Sequence, residues 1–126
     1  MRFVYRHMAF LGEESVWAAA ASECADEQGQ FWTYHDVLFT HTAGRSQGVF
    51  TQPNLKLYAA ELGLNGGAFN SCLDSGRYDG WVRAQTEVGR QKGVTSTPTL
   101  IVNGRLVSPV PGFEDLRTLI LSGTHP

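Results

Sequence analysis

Two cysteines and four histidines are the residues of this 126-residue chain best suited to chemistry. A cysteine attacks only as its thiolate, which an electropositive setting such as a helix N-terminus favours. Cys24 lies late in an alanine-rich run among Glu23, Asp26 and Glu27, and Cys72 lies beside Asp74. Acidic neighbours raise a thiol's pKa, so neither cysteine reads as a catalytic nucleophile. They stand 48 positions apart, which leaves inert buried thiols or a disulfide bond. His7, His35, His41 and His125 show none of the spacings of a zinc site, so no metal is expected. His35 falls in an aromatic helix face and reads as a core or boundary residue, while His7 ends a strand. Gly44-Arg45-Ser46-Gln47-Gly48 matches the G-x-S-x-G pattern of serine hydrolases. That motif needs a sharp strand-to-helix turn. Here it follows one helix and precedes another, so it reads as a flexible loop.

These residues must be held by elements whose periodicity is visible in the chain. Residues 2–8 set Phe3, Tyr5 and His7 against Val4, Arg6 and Met8, the alternation of a strand. Gly12 ends it, and a helix is expected from Glu13 to Gln28, with two glutamates in its first turn. A second helix sets Phe31, Tyr34, His35, Leu38 and Phe39 on one apolar face. Residues 42–50 read as a surface loop. Thr51 and Pro53 open a third helix that runs to Gly63. A short helix over 68–73 lies between glycines, and a longer one spans 78–91. The period then falls to two: strands are expected over 99–102 and 105–108 around Asn103-Gly104, a strong hairpin signal. A helix over 113–121 closes the chain.

The composition sets wider bounds. Ten basic residues are balanced by twelve acidic ones, for a formal net charge of -2. That balance argues against strong electrostatic binding to nucleic acid or an anionic membrane. No apolar run approaches the roughly 20 residues that span a bilayer. Aromatic residues make up 11% of the chain and are spread along it, which argues against disorder. A chain this long can bury roughly two-thirds of its unfolded surface. The expectation is a soluble, compact α/β domain with a helical insertion and a thin sheet.

The most specific stretch is Gly93-Val94-Thr95-Ser96-Thr97-Pro98-Thr99-Leu100-Ile101-Val102-Asn103-Gly104. A proline ahead of a strand cannot donate to the ladder and must start the strand or sit in a turn, as a cis Thr97–Pro98 bond would allow. T-P-T followed by an apolar strand and Asn-Gly resembles the cis-proline loop and hairpin of thioredoxin-fold proteins. Three further segments narrow the resemblance to the bacterial DsbA-like branch. They are Arg6-His7-Met8-Ala9-Phe10-Leu11-Gly12-Glu13-Glu14-Ser15, Phe31-Trp32-Thr33-Tyr34-His35-Asp36-Val37-Leu38-Phe39, and Leu62-Gly63-Leu64 with Phe69-Asn70-Ser71-Cys72-Leu73-Asp74-Ser75-Gly76. The resemblance covers essentially the whole chain in family order. One departure is Ala9, where relatives commonly carry proline.

The resemblance implies a thioredoxin-like α/β fold of DsbA type with a small mixed sheet. It implies a helical insert over about 13–92 and a cis-proline hairpin with C-terminal helix over about 93–122. It also implies thiol–disulfide exchange with protein or peptide thiols and disulfides, and no cofactor. Such relatives carry their C-x-x-C pair, its strand and its helix before the strand at residue 2. This chain has no C-x-x-C. The expectation is a partial domain, inactive alone, of an exported full-length protein. Thr97 and Pro98 would face the missing thiols, the Thr97 main chain would pair with substrate main chain, and Cys24 and Cys72 would form a structural disulfide in an oxidising compartment. Without the catalytic strand, the strands at 2–7 and 99–102 would either dimerise through exposed edges or pair directly. A non-catalytic thioredoxin-like binding module is the alternative, and a glutathione-using or isomerase branch is a related one.

Overall fold

The alanine-rich stretch folds as α1 (Glu13–Asp26), and its small side chains let other helices approach closely. Its N-cap is Gly12 at φ 96°, ψ -172°, a backbone that residues with a Cβ avoid, and no side chain caps it. Glu13 and Glu14 face the positive end of the helix dipole instead. The helix stops at Asp26, short of the expected Gln28, because the next residues close its C-terminus. Gln30 N–H donates to Ala25 O at 3.0 Å while Gly29 takes φ 71°.

The computed structural model describes residues 1–42 and 48–122. After α1 come α2 (Phe31–Thr42), α3 (Gln52–Glu61), α4 (Gly66–Asp74) and α5 (Asp79–Gln91), then β1 (Leu100–Val102), β2 (Arg105–Val107) and α6 (Phe113–Ser122). The chain divides into two compact units, Met1–Thr86 and Glu87–Pro126.

In the first unit, Tyr34, Leu55, Phe69, Cys24 and Cys72 are fully buried, and Ala21, Ala25, Leu38, Tyr58, Ala59 and Leu73 pack in the same core. The Tyr34 hydroxyl donates to Leu55 O at 2.8 Å, so α2 is fastened to α3 inside the core. Burial pushes the pKa of Tyr34 far up, which fits a hydroxyl that serves only as a donor there. Thr51 caps α3 as its spacing suggested, its hydroxyl accepting from Asn54 N–H. The fourth helix is longer than expected: Asn65 Oδ1 accepts from Ala68 N–H at 3.0 Å, and Gly66 and Gly67 lie inside the first turn.

Two expectations are corrected. Residues 2–8 form no strand, because a strand needs a partner ladder and none of the described residues supplies one. Side chains of α5 take some of its amides instead: His7 N–H donates to Gln85 Oε1 and Ala9 N–H to Thr86 Oγ1, each at 2.9 Å. The sheet is therefore not mixed. Among the described residues it is the antiparallel pair β1–β2 alone.

In the second unit, Leu100 pairs with Val107, Ile101 with Leu106 and Val102 with Arg105. Asn103 and Gly104, at φ 49° and 84°, make the tight turn that Asn-Gly predicted. Among the described residues of this unit none is fully buried, and Ile101, Leu106 and Phe113 are exposed. A lone two-stranded hairpin is marginally stable in water. Its amides are thus expected to exchange with deuterium much faster than those of α1 and α4. Equal protection by mass spectrometry would contradict this description.

Candidate functional site

Cys24 on α1 and Cys72 on α4 are joined by a disulfide with Cα atoms 5.8 Å apart. Their exposures are 1% and 0%, and no free cysteine remains. Exchange requires a thiolate to reach one of the sulfurs. Both sulfurs are shielded by the core, so the bond fastens α1 to α4 and offers no exposed sulfur to an attacking thiolate.

A second concentration of chemistry lies where the N-terminal segment crosses α1 and α2. The His7 Nε2 lies 2.8 Å from Glu23 Oε1 on α1, with the imidazole buried and the carboxylate mostly so. A carboxylate on the inward stripe of a helix needs such a partner. Rings gather around this pair. Tyr5 makes edge contacts with His7, Phe31, Trp32 and His35 at centroid distances of 5.3–5.7 Å. The cluster borders a cleft of ≈ 200 Å³ whose walls include Tyr5, His7, Ser22, Phe31, His35 and Phe39.

The aromatic face of α2 divides differently from expectation. Tyr34 and Leu38 point into the core, whereas Trp32 is 50% exposed and Phe39 62%. His35 is a boundary residue as expected, its Nδ1 3.0 Å from the Asp36 carboxylate. His41 stacks on the Tyr58 ring at 4.1 Å. His125 lies outside the described residues, as do Gly44, Arg45, Ser46 and Gln47 of the hydrolase-like pattern. Its last residue, Gly48, donates its N–H to Glu14 Oε2 at 2.8 Å.

A third group ties the end of α1 to the start of α5. Glu27 accepts both Arg77 Nη1–H, at 2.7 and 2.8 Å, and Tyr78 O–H at 2.6 Å. The hydrogen bond from Tyr78, then that from Arg77, holds the Glu27 carboxyl below its ordinary pKa. The same bond to Glu27, with some burial, pushes Tyr78 up to about 12. The two shifts act at opposite ends of the pH scale. Tyr78 stabilises the fold fully below the ordinary tyrosine pKa of about 10, and this is lost as pH rises through about 12. Glu27 contributes above the ordinary carboxylate pKa and loses it as pH falls through its lowered value. Glu27→Gln is expected to return Tyr78 towards about 10. The measurement is tyrosinate absorbance, with Tyr78→Phe subtracted to isolate this residue. An unchanged titration would show that Glu27 is not the cause.

In the second unit, the Thr97–Pro98 bond is cis, as its sequence suggested, and Thr97 and Pro98 are exposed just ahead of β1. Thr99 closes the loop, its hydroxyl donating to Ser96 O at 2.6 Å. The main chain of Thr97 makes no hydrogen bond among the described residues. Ser108–Pro109 is also cis, a bond that sequence reasoning missed.

The structure thus brings Cys24 and Cys72 together and places Thr97 and Pro98 in an open loop of the other unit. Sequence reasoning did not anticipate the His7–Glu23 pair or the Glu27–Arg77–Tyr78 group. Glu23 did fall on the inward spacing of α1 with Val16 and Ala20, and that was the available signal.

The family model described as Thioredoxin matches residues 1–121. The Na(+)/H(+) antiporter NhaA 3 of Salinispora tropica is 32% identical over 124 residues, which cover 97% of this chain and 18% of that protein. The Na(+)/H(+) antiporter NhaA of Herminiimonas arsenicoxydans is 35% identical over 119 residues, or 94% and 18%. The Na(+)/H(+) antiporter NhaA 1 of Salinispora arenicola is 36% identical over 109 residues, or 83% and 16%. The chain therefore spans less than a fifth of the length of these curated relatives. No solved structure matches the chain.

Proposed function

Because the chain belongs to the thioredoxin family, we propose that it is the substrate-facing part of a thiol–disulfide exchange domain of DsbA-like type. The observation that carries this reading is the Thr97–Pro98 loop. It is exposed, it leads directly into a strand, and the Thr97 main chain is free to pair with an extended substrate. In the chemistry proposed, a thiolate of a C-x-x-C pair attacks one sulfur of a substrate disulfide. That bond breaks as a mixed disulfide forms, and the other substrate sulfur leaves as a thiolate. The second cysteine thiolate then attacks the mixed disulfide and releases the remaining substrate sulfur. The substrate gains two electrons and the pair becomes a disulfide; in the oxidising direction each step reverses.

This chain has no C-x-x-C, and its own cysteines are locked in the core. It is thus expected to show no turnover in an insulin reduction assay, and turnover is expected once a strand–C-x-x-C–helix segment is fused ahead of residue 1. A folded fusion that stays inactive would overturn the exchange reading. Ion translocation, which the relatives' names describe, is not what we propose here. Among the described residues, no helix is long and apolar enough to cross a membrane. A role as a redox accessory domain fits the share of those relatives that it matches.

A second reading, a non-catalytic binding module, is favoured by the exposed rings of Trp32 and Phe39 beside the N-terminal segment. It predicts an inactive fusion.

A further inference from the structure

Two Asn-Gly dipeptides occur in the chain, Asn65-Gly66 and Asn103-Gly104. Such a pair can react with itself, because glycine has no Cβ to shield its nitrogen from the preceding side chain. The structure holds the two copies very differently. Asn65 Oδ1 accepts from Ala68 N–H at 3.0 Å as the cap of α4. The Gln28 side chain grips the Asn65 main chain, Asn65 N–H donating to Oε1 at 2.8 Å and Asn65 O accepting from Nε2 at 3.2 Å. Phe69 and Cys72, both fully buried, follow on the same helix. Asn103 sits instead at φ 49° in an exposed turn of two residues. Its side chain makes a single hydrogen bond, Nδ2 donating to Ile120 O at 3.5 Å, longer than a well-made one. The Gly104 N–H has no partner among the described residues, and open space surrounds the place a Gly104 Cβ would take.

We propose that Asn103 is a site of spontaneous covalent modification, where aspartate and isoaspartate replace asparagine as the chain ages, and that Asn65 is spared. The Gly104 nitrogen attacks Asn103 Cγ, so that a new C–N bond forms and the Cγ–Nδ2 bond breaks. Ammonia leaves, carrying the proton lost by the Gly104 amide, and a cyclic succinimide remains. Water then opens the ring. Its attack at Cγ gives aspartate, and its attack at the main-chain carbonyl gives isoaspartate, whose backbone runs through Cγ. Closing the ring requires the Gly104 nitrogen to swing towards Cγ, so the reaction draws on moments when the local structure opens. At Asn103, opening breaks one long hydrogen bond and frays the end of a short hairpin. At Asn65, it unseats a helix cap and two bonds to Gln28 beside the buried core. The strand that the exchange reading sets beside β1 would pair its outer edge, whereas the turn lies beyond the end of the ladder. The inference therefore does not depend on that reading. Both products disturb the turn. Aspartate sets a carboxylate against Ile120 O near the C-terminus of α6, where negative charge is disfavoured. Isoaspartate lengthens the main chain of the turn that places Val102 opposite Arg105.

The test incubates the full chain at mildly alkaline pH and follows each Asn-Gly by peptide mapping in a mass spectrometer. In the folded chain Asn103 is expected to convert at least about tenfold faster than Asn65, the effect of about 1.4 kcal/mol in local opening. In concentrated urea with a reductant the two rates are expected to converge, since the reacting dipeptides are the same. Isoaspartate, detected by enzymatic methylation, is expected to fall steeply in Asn103→Gly, which keeps a turn-forming pair. It is expected to persist in Asn65→Ser, which keeps the cap of α4. In the isolated isoaspartyl form, the cross-strand contacts of Ile101 with Leu106 are expected to be lost from the NMR spectrum. Equal rates in the folded chain, a gap that survives in urea, or an Asn103 that converts only in urea would each overturn the proposal. So would undiminished isoaspartate in Asn103→Gly, or intact pairing of Ile101 with Leu106 in the isoaspartyl form.

Discussion

Replacing Cys24 and Cys72 together by alanine is expected to lower the stability of the chain by about 4 kcal/mol. The bond closes a loop with a sequence separation of 48. In the chain-entropy account, a crosslink of that span removes about this much freedom from the unfolded ensemble. Replacing both residues avoids a lone buried thiol, so the difference reports the crosslink plus two small truncations in the core. For a chain of this length the melting temperature should fall by about 15 °C. Burial adds a kinetic side to the expectation. Dithiothreitol should leave the folded chain oxidised and reduce it only as denaturant opens the core. A loss of less than about 1 kcal/mol would mean that α1 and α4 hold each other without the bond.

The second large effect is expected at Phe69. Its side chain is fully buried on α4, and its ring lies 5.4 Å from that of Tyr34. Phe69→Ala should cost about 3–5 kcal/mol, the combined effect of lost transfer free energy and a cavity that close-packed neighbours cannot fill. Phe113 provides the contrast. It is 77% exposed at the start of α6, and Phe113→Ala should change stability by less than about 0.5 kcal/mol. Urea titration of both variants tests the assignment of the core. Similar losses at the two positions would show that the second unit hides a core where the structure shows none.

Much of the helical framework could be read from periodicity and caps. Thr51 with Pro53, the glutamates opening α1 and the Asn103-Gly104 turn are local signals. Each needs only a few neighbouring residues to act, and each acts as expected. What failed was non-local. The alternation over residues 2–8 is a sound strand pattern, yet a ladder depends on a second segment. Likewise, the aromatic spacing of α2 could not say which rings face inward. Tyr34 and Leu38 do because α1, α3 and α4 pack there. Cysteine spacing left two outcomes open, and only the family resemblance favoured the bond now seen between Cys24 and Cys72. The Thr97–Pro98 loop was legible for the same reason. The Glu27–Arg77–Tyr78 group was not, since it joins residues about fifty positions apart through side chains that are individually unremarkable on a surface.

Thr86 carries a consequence for which sequences this fold can accept. Its hydroxyl receives the Ala9 amide and at the same time donates to Val82 O at 2.9 Å, in a site that is 4% exposed. Valine has nearly the same outline but can do neither, and would leave a shielded N–H facing hydrocarbon. Serine would satisfy both bonds at the cost of a methyl group. Position 86 thus discriminates by chemistry between side chains that it cannot tell apart by shape. A drifting lineage of such chains could exchange threonine for serine here, and would meet a barrier at its closest steric match.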